Sequence, residues 1–337
     1  MNPTKLVIGS LLTFALVTGA RPFAPAVASA QTPATFEFKL ADDSNPGETL
    51  SDVGQWFADE VTKQSRGRIT IKHFTSSTLG GGSSVVQGAR GGWIDISAEG
   101  MSYYISILPE LGAFTVPYMF SNPDQARRAA NSAAGQAMLA DLKSKGLVAL
   151  GIGTNGWIDI LTRNKAIQTP ADFKGLRLRT LPSAVDVATM KALGAEAVNL
   201  ETSQVYVSLQ QGLVDGAEVT LHLTAGAKLY EVTKNYNMTH QSWLPFVMAM
   251  NLDQFNKLPP DLQKLMTRIA TEAVARSWPE EEKEDSGYQQ KLKADGLLFS
   301  TYSPADIAAF RAVTEPLYPT FGVSIGQDNL NAIMKTR

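Results

Sequence analysis

The chain has 337 residues, with 30 basic and 32 acidic side chains, and its formal net charge is −2. A nearly neutral chain without a basic segment is not typical of proteins that bind nucleic acid or anionic membranes, so neither is expected as a partner. The sequence contains no cysteine, which excludes disulfides, and a chain of this length can fold on a hydrophobic core alone.

Residues 1–30 have the pattern of a secretory signal peptide. Lys5 supplies positive charge, residues 6–17 are apolar, and Ala28-Ser29-Ala30 has the small side chains of a cleavage site. The apolar segment is too short to span a membrane, and an uncleaved N-terminal anchor is the alternative interpretation. We therefore expect an exported protein that is cleaved after Ala30.

The first part of the exported chain alternates between strands and helices. Strands are predicted at 36–40, 68–74 and 94–97, with a helix between Thr49 and Gly67 and a shorter one at 84–89. The spacing Thr49-x-x-Asp52 is typical of a capping box. This alternation predicts an α/β fold with crossover helices on a parallel sheet.

The same pattern continues in a second α/β unit. Helices are predicted near 123–130 and 135–145, followed by a strand at 147–152 and a loop at 153–157. Further strands are predicted at 157–161, 176–179, 196–199 and 216–218, and further helices at 184–193 and 203–211. Residues 247–251 are expected to return as a strand to the first unit. A long helix starts at Pro260, Pro279 should kink or end it, and a last helix follows Ser303.

Cofactor and metal sites are not indicated. Gly151-Ile-Gly153-Thr-Asn-Gly156 matches a dinucleotide motif, but a strand follows it where a helix should open. The three histidines lack metal-ligand spacing, and the acidic segment 280–285 is most simply a solvated helix face. We therefore expect no metal, no cofactor and no catalytic residue.

The strand at 176–179 carries the clearest binding signal. Its alternation places Arg177 and Arg179 on one face, and an arginine at the carboxyl end of such a strand points into the crevice where α/β proteins bind ligands. The guanidinium matches a carboxylate with two parallel hydrogen bonds. Arg179 therefore indicates an organic anion, with a surface salt bridge as the alternative and Glu218 as its candidate partner.

Aromatic residues near two predicted domain crossings are candidate walls of the site. Trp157 follows the loop at 153–157, and Trp243 and Phe246 lie in 241–246. Ligand pockets are apolar with few polar groups, although core packing is the usual role of such side chains. Asn155 and Tyr104 are further candidates because they lie on loops or strand ends near the same crossing.

Over residues 36–330 the chain resembles the substrate-binding proteins of TRAP (tripartite ATP-independent periplasmic) transporters, the DctP-type family. The resemblance is carried by seven segments in the order of the family: 67–71, 79–81, 92–96, 116–120, 173–179, 191–195 and 211–218. It implies a two-lobed periplasmic binding protein fold, with hinge strands and a long helix spanning both lobes. One lobe would comprise 31–154 plus about 245–280, and the other 155–244 plus about 281–337, with the ligand cleft between them.

The resemblance also implies a periplasmic receptor, monomeric and not an enzyme, that closes on an organic acid and delivers it to membrane permease subunits. In the family, an arginine at the position of Arg179 pairs with the substrate carboxylate. The alternatives are a periplasmic enzyme acting on a small organic acid and a receptor that reports ligand occupancy to a signalling partner.

Departures from the family pattern bear on the solute. The arginine common after the aromatic at Trp157 is absent, Val219-Thr220 replaces Asn-Pro, and Thr202 replaces a phenylalanine. A second anionic group would therefore lack a partner. We expect a monocarboxylate, aromatic or hydroxylated, with Asp159 available for a hydroxyl or amine and Glu218 orienting Arg179 or accepting a ligand hydroxyl.

Overall fold

The computed structural model describes residues 35–337, apart from the Glu282 side chain. The predicted signal peptide and its cleavage site lie outside the described residues. Among the described helices, none combines the length and the apolar character needed to cross a membrane.

The described strands form one mixed sheet of nine strands. Their bounds are Phe36–Ala41 (β1), Ile69–Phe74 (β2), Ile96–Gly100 (β3), Leu147–Thr162 (β4), Arg177–Thr180 (β5), Glu196–Asn199 (β6), Gly216–Val219 (β7), Asn235–Asn251 (β8) and Leu298–Ser300 (β9). The order is β2-β1-β3-β8-β4-β7-β5-β6, and β9 pairs with β8.

The sheet has two sections, which the long strands β4 and β8 join. In one section β1 pairs in parallel with β2 and β3, and β3 is antiparallel to the end of β8. In the other, β5 pairs in parallel with β6 and β7, and β7 is antiparallel to the end of β4. The predicted parallel α/β units are therefore present, with an antiparallel pair linking them.

The pairing between β4 and β8 is irregular where the two sections meet. Its register shifts between Ala149 and Gly151, between Thr154 and Trp157, and between Ile158 and Ile160. Residues 153–157, predicted as a loop, instead continue the strand, and β8 begins well before the predicted residue 247. Bulges of this kind bend a strand and re-aim its side chains, which positions the site described below.

The helices cover the sheet. They comprise Thr49–Gln64 (α1), Gly82–Gly91 (α2), Met101–Ile105 (α3), Pro123–Asn131 (α4), Ala133–Ala140 (α5), Ala184–Ala192 (α6), Val205–Gln211 (α7), Leu221–Gly226 (α8), Leu252–Lys257 (α9), Pro260–Ala294 (α10), Pro304–Thr314 (α11), Tyr318–Ile325 (α12) and Gln327–Met334 (α13). The short helices α3, α8, α9, α12 and α13 were not predicted. Short 3₁₀ turns occupy Pro109–Phe114, Asp141–Lys145, Pro170–Phe173, Thr202–Gln204, Leu229–Glu231 and Glu315–Leu317.

The long helix α10 packs against α1, α8 and β4. It does not end at Pro279, as one form of the prediction had it, but continues to Ala294. The predicted capping box of α1 is absent: Glu48 is the N-cap residue, and the Thr49 hydroxyl bonds His222 and Glu284 instead.

Separate apolar clusters fill the space between the sheet and the helices. One, which includes Phe57, Met248 and Ile269, lies where α1 and α10 cover the sheet section of β1 and β3. Another, with Phe114 and Trp243, packs the loops after β3 against the C-terminal helices. Burial of these side chains, each of which contributes about 1.5–3 kcal/mol, holds the strand ends that frame the site.

Candidate functional site

A cavity of about 450 Å³ lies between the two sheet sections, with part of its volume open to solvent. Residues 43–103 supply one wall and residues 179–223 the other, while β4 and β8 lie between them. The polar side chains on the cavity are Asp43, Ser44, Glu48, Tyr103, Asn155, Arg179, Thr202, Glu218 and Thr220, and its apolar lining includes Leu50, Ile158, Leu181, Val219, Leu223 and Leu244.

Arg179 lies at the carboxyl end of β5, between its neighbours β6 and β7. It is only 1% exposed. Its Nε donates to the carbonyl oxygen of Leu200 and one terminal nitrogen to that of Glu218, both at 3.0 Å, and the other terminal nitrogen to Thr202 Oγ1 at 3.4 Å. A guanidinium has five N–H donors, so two remain, one on each terminal nitrogen, which is the number a bidentate carboxylate requires.

The second arginine of β5 has a different role. Arg177 is partly exposed and forms an ion pair with Asp215 at 2.8 Å, and it also donates to the Gly212 carbonyl oxygen. Arg179 has no such carboxylate partner among the described residues. Arg179 is therefore a buried cation held by two backbone carbonyls and a hydroxyl, and its charge is available to pair with an anion.

Glu218 contacts Arg179 through its backbone rather than its carboxyl group. The side chain accepts a hydrogen bond from Gln241 at 2.8 Å, and its second oxygen has no partner within the described residues. Burial raises the pKa of Glu218 well above its ordinary value, and the nearby Asp186 carboxylate raises it further. The protonated carboxyl can therefore donate as well as accept a hydrogen bond.

The opposite wall is acidic, and its residues were not among the predicted site residues. The Tyr103 hydroxyl donates to Asp43 at 3.1 Å and lies 2.9 Å from Thr202 Oγ1, so it connects the two walls. Behind it, burial raises the pKa of Glu99 well above its ordinary value, and the carboxylates of Asp43 and Asp42 add to this effect. Residues 42–44 follow β1, so the strand-end rule that identified Arg179 would also have found them.

Glu48 is the third carboxyl on the cavity. Burial raises its pKa to about 7, although Asn45 donates a hydrogen bond to it. Because its position is enclosed, ionisation of Glu48 costs free energy in the folded state only.

This predicts a pH dependence of stability. Between pH 4.5 and pH 7 the folded protein binds more protons than the unfolded chain at this position, so stability falls as pH rises. The shift in the pKa of Glu48 corresponds to about 3 kcal/mol. Between pH 4.5 and pH 8 the free energy of unfolding should therefore fall by up to about 3 kcal/mol more in the wild type than in the Glu48→Gln variant. Urea unfolding at each pH measures this difference. Glu37→Gln, on exposed strand surface, is the matched control, and parallel pH curves for wild type and Glu48→Gln would contradict the expectation.

Of the eight predicted site residues, the structure brings together Arg179, Glu218 and Asn155. Trp157 instead lines a second cavity of about 590 Å³, a volume that includes space open to solvent, and its ring lies 5.6 Å from that of His240. The cause is the bulge in β4. Between the pairs Thr154–Pro245 and Trp157–Trp243, β4 has one residue more than β8, so Asn155 and Trp157 face different cavities.

Asp159 does not line the cavity. Its carboxylate accepts a hydrogen bond from the backbone N–H of His240 at 2.7 Å and lies 3.2 Å from His240 Nδ1. Those contacts occupy the group that was expected to receive a ligand hydroxyl or amine.

Trp243, Tyr104 and Phe246 are core residues. Trp243 donates to Thr154 Oγ1 at 2.8 Å and packs on Phe120 and Trp278. The Tyr104 hydroxyl bonds Ser97 and the Val247 carbonyl oxygen, and Phe246 is fully buried beneath the sheet. The side chain that reaches the cavity is Tyr103, the neighbour of the predicted Tyr104.

Two α/β sheet sections, joined by two long strands around a cavity with a buried cation, define a solute-binding receptor. Residues 43–323 match the family described as "Bacterial extracellular solute-binding protein, family 7", and the chain belongs to this family. It is the solute receptor of a TRAP-type transport system and not an enzyme, which confirms the resemblance and the two-lobed α/β fold.

Relatives and solved structures agree with this assignment. The 2,3-diketo-L-gulonate-binding periplasmic protein of Escherichia coli K12 is 30% identical over 71% of this chain and 69% of its own. A TRAP periplasmic solute-binding protein of Sulfurospirillum deleyianum, solved with succinate, is 26% identical with a TM-score of 0.86, covering 90% of this chain and all of that one. Another, from Polaromonas sp. JS666 with D-erythronate, is 25% identical with a TM-score of 0.85, covering 89% and 98%.

Proposed function

We propose that this receptor captures a hydroxylated or oxo monocarboxylate of the sugar-acid class and delivers it to the permease subunits of a TRAP transporter. The observation that carries the proposal is the charge of the cavity. Among the described side chains that line it, Arg179 is the only cation, and it faces the carboxyl groups of Asp43, Glu48 and Glu218.

One cation among three acids suits one carboxylate with several hydroxyl groups. The ligand carboxylate would take the two N–H donors that Arg179 has left, and the hydroxyls would donate to the acidic wall. A second carboxylate would lie beside Asp43 or Glu48, where like charges repel and desolvation adds to the cost. The cavity therefore disfavours a dicarboxylate.

Of the two solutes expected from the sequence, the lining of the cavity favours a hydroxylated monocarboxylate over an aromatic one. Trp157 and Trp243, the expected aromatic walls, do not line the cavity, whereas Ser44, Thr202 and Thr220 do. The relatives include a 2,3-diketo-L-gulonate-binding protein and a structure with D-erythronate, both consistent with an oxygenated monocarboxylate. A dicarboxylate is the competing solute class, because another relative was solved with succinate.

The domain boundaries and export belong to the same proposal. The lobes would comprise 31–154 plus about 245–280 and 155–244 plus about 281–337, and β4, β8 and α10 each pass from one to the other. Closure would bring the Tyr103 wall and the Arg179 wall together on the solute, since a ligand that contacts both walls favours the closed state. The receptor would act as a periplasmic monomer after cleavage following Ala30.

The experiment is a thermal-shift panel with matched solutes. D-erythronate and D-gluconate should raise the melting temperature, because ligand at 100 times its Kd stabilises the folded state by about 2.7 kcal/mol. Erythritol, which lacks the carboxylate, and butanoate, which lacks the hydroxyls, should not. An equal or larger shift with succinate would contradict the monocarboxylate assignment, and no shift with any acid would contradict the organic-acid cavity itself.

A further inference from the structure

A second polar cluster lies beside the solute cavity, where α8 meets α10, and none of its residues lines that cavity. One nitrogen of His222 and one carboxylate oxygen each from Glu281 and Asp285 lie within 4.8 Å of one another. Glu281 and Asp285 lie one turn apart on α10, and the packing of α8 on α10 brings His222, which is far away in the sequence, next to them. An imidazole and two carboxylates form a common ligand set for Zn²⁺ and related ions.

The orientation of His222 points to a ligand rather than to an ordinary ion pair. The side chain is 0% exposed, and its Nδ1 lies 3.0 Å from Thr49 Oγ1, whose hydroxyl donates to Glu284 at 2.9 Å. Because the Thr49 hydroxyl donates to Glu284, Nδ1 must donate to Thr49, so in the neutral form of the ring Nε2 has the free lone pair. Metal-bound histidines show this arrangement, in which the other ring nitrogen donates to an oxygen atom.

The Nε2 atom is the unpartnered group. It lies 3.2 Å from Asp285 Oδ1 but makes no hydrogen bond within the described residues. In the neutral form of the ring, a lone pair and a carboxylate oxygen at this separation repel each other, and either a proton on Nε2 or a metal ion between the two atoms removes the repulsion. Two ligands of a tetrahedral Zn²⁺ ion, each bonded at about 2.0 Å, are about 3.3 Å apart, which matches this distance.

We propose that His222, Glu281 and Asp285 bind one divalent transition-metal ion, with Zn²⁺ as the best match, and that Thr49 orients the histidine. The ion would join α8 to α10, and through Thr49 also to α1. The nitrogen ligand excludes Ca²⁺ and Mg²⁺ as preferred occupants, because both select oxygen ligands. The site is independent of the identity of the solute.

The test is calorimetric titration of the untagged, chelator-treated protein with ZnCl₂. We expect one Zn²⁺ per chain, a rise in melting temperature, and no comparable effect of CaCl₂ or MgCl₂. His222→Gln and Asp285→Asn should abolish saturable binding, and Thr49→Val should weaken it about 10–100-fold. Glu280→Gln is the matched control on the same helix, since Glu280 pairs with Arg276, and it should bind as the wild type does.

A spectroscopic measurement covers the case in which a variant does not fold. Co²⁺ bound to the wild-type protein should give the strong visible absorption of a four-coordinate ion, and Zn²⁺ should displace it. The proposal is overturned if Co²⁺ keeps the weak spectrum of the hydrated ion, if Zn²⁺ does not bind with defined stoichiometry, or if a folded Asp285→Asn variant binds Zn²⁺ as tightly as the wild type.

Discussion

Replacing Arg179 by lysine is expected to weaken solute binding about 100-fold or more, although the positive charge is kept. An ammonium group has no planar fork, so it cannot hold a carboxylate with two parallel N–H bonds. Each charge-assisted hydrogen bond contributes about 1.5–3 kcal/mol, and about 1.4 kcal/mol corresponds to a factor of ten in Kd. Titration calorimetry with the acid that gives the largest thermal shift measures the change.

The matched control is Arg177→Lys on the same strand. That arginine pairs with Asp215 outside the cavity, so its replacement should leave the Kd within a few-fold of the wild-type value. Lysine at 179 also leaves the carbonyl oxygens of Leu200 and Glu218 without their donor, so both variants are compared at a temperature at which they are folded. Equal affinities for the Arg179→Lys variant and the wild type would place the solute elsewhere.

The position of Arg179 could be predicted because it follows from local sequence. Alternating residues define the strand, the glycine after α7 defines the next turn, and the carboxyl end of a strand in an α/β sheet opens into a crevice. The same logic applies to Asp43 and Ser44, which follow β1. In such positions chain order and backbone geometry alone decide where a side chain lies.

The aromatic wall could not be predicted in this way. Whether Asn155 or Trp157 faces the cavity depends on a bulge in β4, and the bulge is visible only from the pairing of β4 with β8. A one-residue change of register moves a side chain to the other face of a strand. The sequence also does not decide which of Tyr103 and Tyr104 reaches the cavity, because neighbouring residues of the short helix α3 point in different directions.

The cluster around His222 shows a third limit. Histidine spacing excludes only local metal sites, whereas His222 and the α10 carboxylates meet through tertiary packing. The acidic segment 280–285 is indeed partly solvated, yet one of its turns faces α8. A helix surface can therefore be charged for solubility on one side and for binding on the other.

Trp243→Ala is expected to lower the free energy of unfolding by about 3–5 kcal/mol while leaving solute affinity nearly unchanged. The indole is 2% exposed, its N–H donates to Thr154, and its ring packs on Phe114, Phe120 and Trp278. Its removal leaves a cavity in the core and takes one of the two donors from the Thr154 hydroxyl, which keeps the Gly156 N–H. Urea unfolding measures the loss of stability, and calorimetry on the folded variant measures Kd.

Trp93→Ala provides the comparison, because the same side chain is 50% exposed there and its removal should cost about half as much as at position 243, roughly 2 kcal/mol. A stable Trp243→Ala variant with lost affinity would restore Trp243 to the ligand site. The opposite result, lost stability with intact affinity, would show that the aromatic residues near the strand crossing hold β4 and β8 in register. Recognition of the solute would then rest on the polar residues around Arg179.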